Sequence, residues 1–247
     1  MKLSGNVALV TGASSGIGQA TAIELAKEGA DVVANYFRHK ENAEETARQI
    51  QALGRRCITV QADVTKANQV ENMVNNALKE YGKIDILVND AGGIVKRYLI
   101  AETTEELWDQ WLDINLKSIF LCCRAVIPQM VHKKSGIIIN ISSVSARWGT
   151  GPGAVPYAAA KAGVEGFTRG LAKELADANI RVMCVAPGAI DTPFHTNRDF
   201  LESLKVHIPM KRIGRPEEVA KLIVFLASDD ASYITGRVYD VNGGWMV

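Results

Sequence analysis

The chain has 247 residues, with 28 lysines and arginines against 27 aspartates and glutamates, a formal charge of +1, 47% hydrophobic and 22% charged residues. This is ordinary globular usage with material for a large core, and so even a charge balance offers neither a nucleic-acid tract nor a membrane-binding face. The expected partner is a small molecule, with no nucleic acid and no membrane.

The four cysteines stand apart except for Cys122 and Cys123, which point away from each other on a predicted helix, so a reducing compartment and no disulfide framework are expected. His39, His132, His195 and His207 lack metal-ligand spacing and read as solvated surface side chains, so no metal is expected. The opening "MKLSGNVALVTG" holds an apolar run too short for a signal segment or a span, and a cytoplasmic location is expected.

Short β-branched runs recur along the chain: Val7 to Gly12, Asp31 to Tyr36, Cys57 to Asp63, Ile84 to Asp90, Gly136 to Ser142, Ile180 to Gly188, and a last candidate in "RVYDVNGG". Between them lie helical patterns. Asn42 to Leu53 carries Ala43, Ala47, Ile50 and Leu53 and stops at Gly54; Gln69 to Tyr81 carries Val70, Met73, Val74, Ala77 and Leu78 and stops at Gly82. Nearly continuous apolar strands alternating with helices predict an α/β fold, a doubly wound parallel sheet flanked by helices on both faces. No linker divides the chain, so residues 1–247 read as one domain. The irregular stretch 192–215 precedes a helix that begins near Pro216, and a loop of that length in a compact domain predicts a lid over a site.

"TGASSGIG", Thr11 to Gly18, follows the first strand and opens the first helix. Gly12 permits the tight turn, Gly16 lets backbone approach a phosphate, and Gly18 lets the helix pack on the strand, which together make the sheet Rossmann-type and the turn a dinucleotide cradle. Ser14, Ser15 and Ile17 belong to the same turn. At the end of the second strand stand Asn35, Tyr36 and Phe37, with no carboxylate to repel a 2′-phosphate, and Arg38 available to pair one. NADP(H) is therefore preferred and NAD(H) possible. The plainer alternative is that Arg38 and Lys40 decorate a solvated helix start. Asp63 and Val64 end the third strand, where the carboxylate could accept the adenine amino group or simply cap the next helix; "NDAGG", Asn89 to Gly93, ends the fourth as a flat cofactor floor or an ordinary turn.

In "VPYAAAKAG", Tyr157 and Lys161 share one helix face with only alanines between them. Such a pair is usually a surface contact. In a site closed to water, an ammonium below a phenol favours phenolate, and bringing a tyrosine from about 10 to about 7 takes about 4 kcal/mol, which the ammonium and an oxidised nicotinamide could supply together. Ser142 and Ser143 end the fifth strand shortly before, offering a hydroxyl to hold a substrate oxygen.

The motifs "TGASSGIG", "NDAG", "DINLKS", "NISSVS", "YAAAK" and "VAPGAIDTP", in that order over the whole chain, resemble a short-chain dehydrogenase/reductase. The resemblance implies hydride transfer at a nicotinamide, with Tyr157 as general acid/base and Lys161 lowering its pKa and holding the nicotinamide ribose. Ser143 would orient the carbonyl or alcohol, and Asn115 would anchor a water linking Lys161 to solvent. Asn89, Ala91 and Gly92 would line the ribose, and Pro187, Gly188, backbone at Ile190 and the Thr192 hydroxyl would fix the carboxamide. Two features depart from the family pattern: Asp90 stands where a second asparagine is common, and the stretch from Ser143 to Tyr157 is one residue longer, which leaves Ser142 as the alternative to Ser143.

Members with a similar "YITG...VNGG" end include 3-oxoacyl-carrier-protein reductases and glucose-type sugar dehydrogenases. Lys133 and Lys134 could meet an acidic carrier, but Ala178 stands where a second basic residue would be expected. Lys96, Arg97, Arg147 and Trp148 on the substrate side favour a polar, sugar-derived carbonyl, unless they are rim residues that never touch substrate. A dinucleotide-binding regulator without chemistry is the reading from a different class. On the helix after Tyr157, Val164, Phe167, Leu171 and Leu175 form one stripe, and Ala159, Ala160, Ala162, Gly163 and Gly166 a small-residue side that predicts a partner subunit. The resemblance implies a homotetramer, its long fourth and fifth helices forming one interface, and "VNGGWMV" could help bury it or dock on its own sheet.

Overall fold

The computed structural model describes residues 1–246. Seven parallel strands, β1 (Val7–Thr11), β2 (Asp31–Tyr36), β3 (Cys57–Gln61), β4 (Ile86–Asn89), β5 (Gly136–Ile141), β6 (Ile180–Pro187) and β7 (Val238–Val241), form one sheet in the order β3-β2-β1-β4-β5-β6-β7. Every predicted strand is present. Most are trimmed by a residue or two, because the last residues of each run leave the ladder to build the loops above it.

The strand order reverses direction between β1 and β4, and ligands of such sheets bind in the crevice this reversal opens above the strand ends. Period-two alternation sends side chains to two apolar layers. Ala8, Val10, Val32, Ala34, Val88 and Ile139 pack under α1 (Gly16–Lys27), α2 (Lys40–Ala52) and α9 (Pro216–Ala227). Val7, Leu9, Val33, Leu87, Ile138 and Val182 pack under α3 (Ala67–Tyr81), α5 (Ser118–Lys133) and α7 (Val155–Leu175). All four cysteines are buried and free in these layers, with Cys122 and Cys123 in the same one.

The predicted helix stop at Gly82 is a left-handed cap at φ 74°. Asp63 does not cap α3, which begins at Ala67; its carboxylate instead accepts bonds from the Thr65 amide and hydroxyl, closing a turn one step earlier. The two long helices are the fifth and seventh in chain order. Two short ones, α4 (Glu105–Leu112) and α6 (Ser145–Trp148), shift the expected count.

Between α4 and α5 the segment Asp113–Lys117 widens into a π turn, the "DINLK" of the motif, and such turns concentrate at functional sites. The continuous helical stretch Glu105–Lys133 is long and apolar enough by composition to cross a bilayer, yet Trp111, Ile119, Leu121, Val126 and Met130 are buried within the protein.

The stretch 192–215 is not structureless: it holds α8 (Arg198–Ser203), and its ends are pinned together where Asp191 N donates to Gly214 O and Gly214 N to Ala189 O. On α7 the expected small-residue side divides. Ala160 is buried and a Cβ on Gly163 would strike Leu116, whereas Ala159, Ala162 and Gly166 are exposed. Of "VNGGWMV", Trp245 packs with Ala189, Leu201 and Ile208 of its own chain, while Val247 lies outside the described residues.

Candidate active site

The ends of β1, β4, β5 and β6 bring the motifs together around the crevice. Gly12 and Gly16 have φ of 70° and 57°, the left-handed region that favours glycine, and a Cβ on Gly12 would sit 3.1 Å from Ala91 Cα. On Gly18 it would lie 2.4 Å from Gly12 O and 2.7 Å from Asp90 Oδ2. The third glycine is thus required by close approach rather than by φ. Ser15 is the N-cap of α1 in extended conformation with no side-chain cap bond, and the first turn carries no acidic residue. Apart from Gly18, whose N–H faces the Asp90 carboxylate, the first turn therefore presents its amides and its positive dipole end, which fits the pyrophosphate of a dinucleotide. Ser14 is buried in the turn, and Ile17 packs on the sheet layer below.

Asn35 holds this cradle from beneath. Its Nδ2 donates to the carbonyls of Tyr36, Val60 and Ala62, and its Oδ1 accepts from Gly12 N. The amide is spent on tying the glycine turn to β3, so the residue predicted to meet the cofactor supports the turn that would meet it. Tyr36 is likewise buried, and Arg38 is the exposed cation at the strand end, its guanidinium over the Phe37 ring.

On the other flank, Thr192 packs over the cradle, its Cβ 3.3 Å from where a Gly16 Cβ would be, and Ile190 and Pro187 are buried beside it. Gly188 is tight against Asn242, where a Cβ would come within 2.9 Å of its Cα. Val64, Ala91, Asn89 and Thr11 come together at the centre, with no room between them for a water molecule. The Asn89 side chain turns down into the protein, donating to Asn140 Oδ1 at 2.9 Å and Cys123 Sγ at 3.4 Å, which leaves its buried Oδ1 without a partner. Asn140 in turn donates to Thr168 on α7 at 3.0 Å. This amide chain locks β4, β5 and α7 together, and the lone asparagine inside the apolar "IIINI" of β5 was its sequence signal. An open groove between β3 and α3, lined by Gln61, Asn76, Lys79 and Glu80, lies at the sheet's outer edge and holds none of these motifs.

Tyr157 and Lys161 are both buried, one turn apart on α7. The Lys161 Nζ donates to Ile141 O at 2.8 Å and lies 5.7 Å from the Tyr157 ring centroid. A Cβ on Gly92 would lie 3.5 Å from that Nζ and 2.9 Å from Asn115 Oδ1. Asn115, at the π turn, accepts from Gly93 N and donates to Gly93 O and Trp111 O, so its amide fastens the "AGG" floor.

The two serines separate cleanly. Ser142 is buried and donates to Lys161 O at 3.0 Å, a helix-positioning bond. The Ser143 hydroxyl favours the ionised form of the Tyr157 phenol, and its oxygen accepts from Ser145 N at 3.1 Å.

The electrostatics run opposite to the sequence expectation. Burial pushes the Tyr157 phenol up to about 12, more than the Ser143 hydrogen bond lowers it, with nearby Asp90 adding to the rise. Burial likewise drives Lys161 down to about 8, against the attraction of Asp90. Desolvation penalises both charged forms, and spacing on a helix cannot report it. Trp111 and Phe194 flank the phenol with ring centroids at 6.1 and 5.9 Å, and Ile94, Val95 and Leu107 complete an apolar wall that the motifs did not reveal.

The polar rim expected from the sequence is largely committed elsewhere. Arg147 pairs with Asp240 and lies 3.4 Å from Glu165, Lys96 sits over the Tyr98 ring, Arg97 donates to Pro152 O, and Lys133 pairs with Asp85. Trp148 remains exposed. His195 is the one histidine off the free surface: half-buried against Phe194, its pKa is lowered first by that burial and then by Arg198.

A family model described as Enoyl-(Acyl carrier protein) reductase matches residues 12–246. The chain belongs to the short-chain dehydrogenase/reductase family. It is 43% identical over 249 residues to the 3-oxoacyl-[acyl-carrier-protein] reductase of Thermotoga maritima, covering 100% of both chains. To the 3-oxoacyl-[acyl-carrier-protein] reductase of a Synechocystis strain it is 46% identical over 246 residues, covering 99% of this chain and 98% of that protein. Among solved structures, a dehydrogenase/reductase from Sinorhizobium meliloti superposes with a TM-score of 0.93 at 33% identity, covering 100% of this chain and 97% of the other. As a member of this family the chain is a nicotinamide-dependent oxidoreductase that interconverts a keto group and a hydroxyl on a small-molecule substrate.

Proposed function

We propose that this short-chain dehydrogenase/reductase reduces the 3-oxo group of an acyl thioester with NADPH. The observation that carries the choice of substrate is the apolar wall of Trp111, Phe194, Ile94, Val95 and Leu107 around the phenol, which suits an acyl chain. Full-length similarity to reductases named for 3-oxoacyl carrier thioesters points the same way. The sugar-derived carbonyl expected from the sequence loses support as Arg147 is drawn to Asp240 and Glu165.

When bound, the reduced nicotinamide supplies the hydride. The chain's own groups do the rest. The Ser143 hydroxyl holds the carbonyl oxygen, and Tyr157 gives its phenolic proton to that oxygen as the alcohol forms. A phenol held protonated by burial is suited to that donation. Lys161, fixed through Ile141 O, carries the cation that stabilises the resulting phenolate, and Asn115 fastens the floor beneath it. In the cradle, Gly12, Ser14, Ser15, Gly16, Ile17 and Gly18 meet the pyrophosphate, with Asn35 and Tyr36 supporting the turn. Asp63 and Val64 border the adenine, and Asn89, Ala91 and Gly92 the ribose side. Pro187, Gly188, Ile190 and Thr192 frame the carboxamide, and Arg38 selects the 2′-phosphate.

The pinned stretch 192–215 acts as a lid whose Phe194 covers the site. The exposed Ala159, Ala162 and Gly166 give α7 a face for a second subunit in a homotetramer, and four free buried cysteines accord with a cytoplasmic enzyme.

Initial rates with NADPH and NADH on acetoacetyl and enoyl thioesters, sugars and keto acids test the reading. Acetoacetyl thioester with NADPH is expected to be fastest, and Tyr157→Phe to remove its turnover at least about a thousandfold. Sugars turning over while thioesters fail would overturn the substrate. Turnover surviving Tyr157→Phe would overturn the role of the phenol.

A further inference from the structure

Asp90 is one of the two departures expected from the family resemblance, and the fold puts it between the first turn of α1 and the turn of α7 that carries Lys161. It follows β4, where its own amide and that of Ala91 donate to the Thr11 hydroxyl at 3.0 and 3.1 Å, so the segment is fixed to β1. One carboxylate oxygen, Oδ2, lies 2.7 Å from the position of a Gly18 Cβ, directly against the first turn of α1, and the Gly18 backbone N–H stabilises its ionised form. On its other side is α7: a Cβ on Gly92 would lie 3.5 Å from Lys161 Nζ and 3.7 Å from the Asp90 carbonyl oxygen, which places Asp90 beside the turn of Lys161 and Tyr157, and both groups respond to its charge. From α1 the carboxylate meets the first turn at Gly18; the Thr11 hydroxyl of β1, which takes the Asp90 amide, and the Asn115 amide at the π turn, which takes Gly93, are neutral. Among the described residues, Lys161 and Tyr157 are the ionisable side chains facing it.

We propose that Asp90 is a positioning residue that couples the dinucleotide cradle to proton handling, its negative charge holding Lys161 as an ammonium and Tyr157 as a protonated phenol. This deepens, and rests on, the reading of Tyr157 and Lys161 as the proton-handling pair. A carboxylate opposes a second negative charge nearby and favours a positive one. It therefore favours the proton-donating form of Tyr157, the form that reduction of a carbonyl consumes, and counters the desolvation that would otherwise neutralise Lys161. An asparagine here would keep an oxygen for the Gly18 amide and lose both effects. Burial pushes Asp90 itself up to about 7 against the pull of Lys161 and Gly18, so its charge is expected to change near neutrality. The cradle and the proton pair would then feel the same titration.

The test uses the whole protein and does not depend on identifying the substrate. In protein carrying 13C-labelled lysine, the Cε resonance lost in Lys161→Met reports the Lys161 ammonium. In Asp90→Asn that resonance is expected to titrate about one pH unit lower than in wild type, a tenfold change in proton affinity. An unchanged or higher titration would overturn the proposal. In wild type alone, 13C-labelled aspartate should show a carboxyl titrating near neutrality with a matching step at the Lys161 Cε; titration in the ordinary range near 4 with no such step would overturn it without any variant.

For the enzyme loaded with dinucleotide, Asp90→Asn is expected to move the acid limb of alcohol oxidation to lower pH, giving about a three- to tenfold gain in rate below the inflection. Superimposable pH profiles would refute the coupling. A shifted lysine resonance in a protein that fails on every carbonyl would count against the substrate reading alone.

Discussion

Replacing Lys161 with methionine should stabilise the protein while destroying its activity, by an amount that depends on pH. The ammonium is buried, with Ile141 O as its single hydrogen-bond partner, and burial lowers its pKa from the ordinary value of about 10.4 to about 8. That gap is worth about 3 kcal/mol of penalty on the charged form. Methionine has similar length and removes the penalty, but it leaves the Ile141 carbonyl unpaired at a cost of about 1 to 2 kcal/mol. Asp90 loses its cation, yet with its own pKa already pushed up to about 7 it takes a proton at small cost. The net expectation is a gain of about 1 to 2 kcal/mol at about pH 7.

The sign with pH follows from proton uptake. Below about 8 the folded and unfolded chains both carry the Lys161 proton, and the full penalty weighs on the wild type. As pH rises from about 8 toward about 10.4, the folded protein has released the proton while the unfolded chain still binds it, and the penalty fades. The advantage of Lys161→Met should therefore be greatest at about pH 7 and smallest at about pH 10. Paired urea melts of both proteins at several pH values give the difference directly. A variant less stable at about pH 7, or a difference that does not change across the range, would show that burial of the ammonium does not govern this site.

Gly18→Ala would drive a Cβ to 2.4 Å from Gly12 O, forcing α1 away from the turn; a loss of about 1 to 3 kcal/mol in stability and at least about a tenfold loss in dinucleotide affinity are expected, read by thermal melts and fluorescence titration. Arg38→Ala should raise the KM for NADPH about tenfold and leave that for NADH unchanged, since only the former offers a 2′-phosphate. Glu218, held down to about 2 chiefly by its hydrogen bonds from Arg212 and then from the Arg215 amide, contributes stability that is present above the ordinary glutamate value of about 4.3 and is lost as pH falls toward about 2. Glu218→Gln is expected to cost up to about 1 kcal/mol at neutral pH, partial exposure limiting the effect, with the difference from wild type vanishing in acid melts.

The features of this protein that its amino-acid order dictates are local ones. The β-branched runs locate all seven strands, because the inner strands, buried on both faces, must be apolar at nearly every position, and the half-buried edge strands β3 and β7 keep β-branched residues. The glycines at 12 and 16 mark a tight turn, because a positive φ disfavours any side chain whatever surrounds it. Tyr157 and Lys161, four apart, have to share a helix face.

Tertiary packing sets what these groups do, because hydrogen-bond partners and distance from water come from segments remote in the chain. Asn35 is spent on Val60 and Ala62, and Arg147 is claimed by Asp240, 93 residues away. Ser142 and Ser143, adjacent and alike in sequence, part to opposite tasks because a strand end turns one toward the Lys161 backbone and the other toward the phenol. Phe194 arrives over Tyr157 only when the segment after β6 folds back. The direction of the Tyr157 and Lys161 pKa shifts has the same origin. Helix spacing brings a cation near a phenol, but desolvation by the packed core is the largest cause of both shifts, and a sequence carries no measure of it.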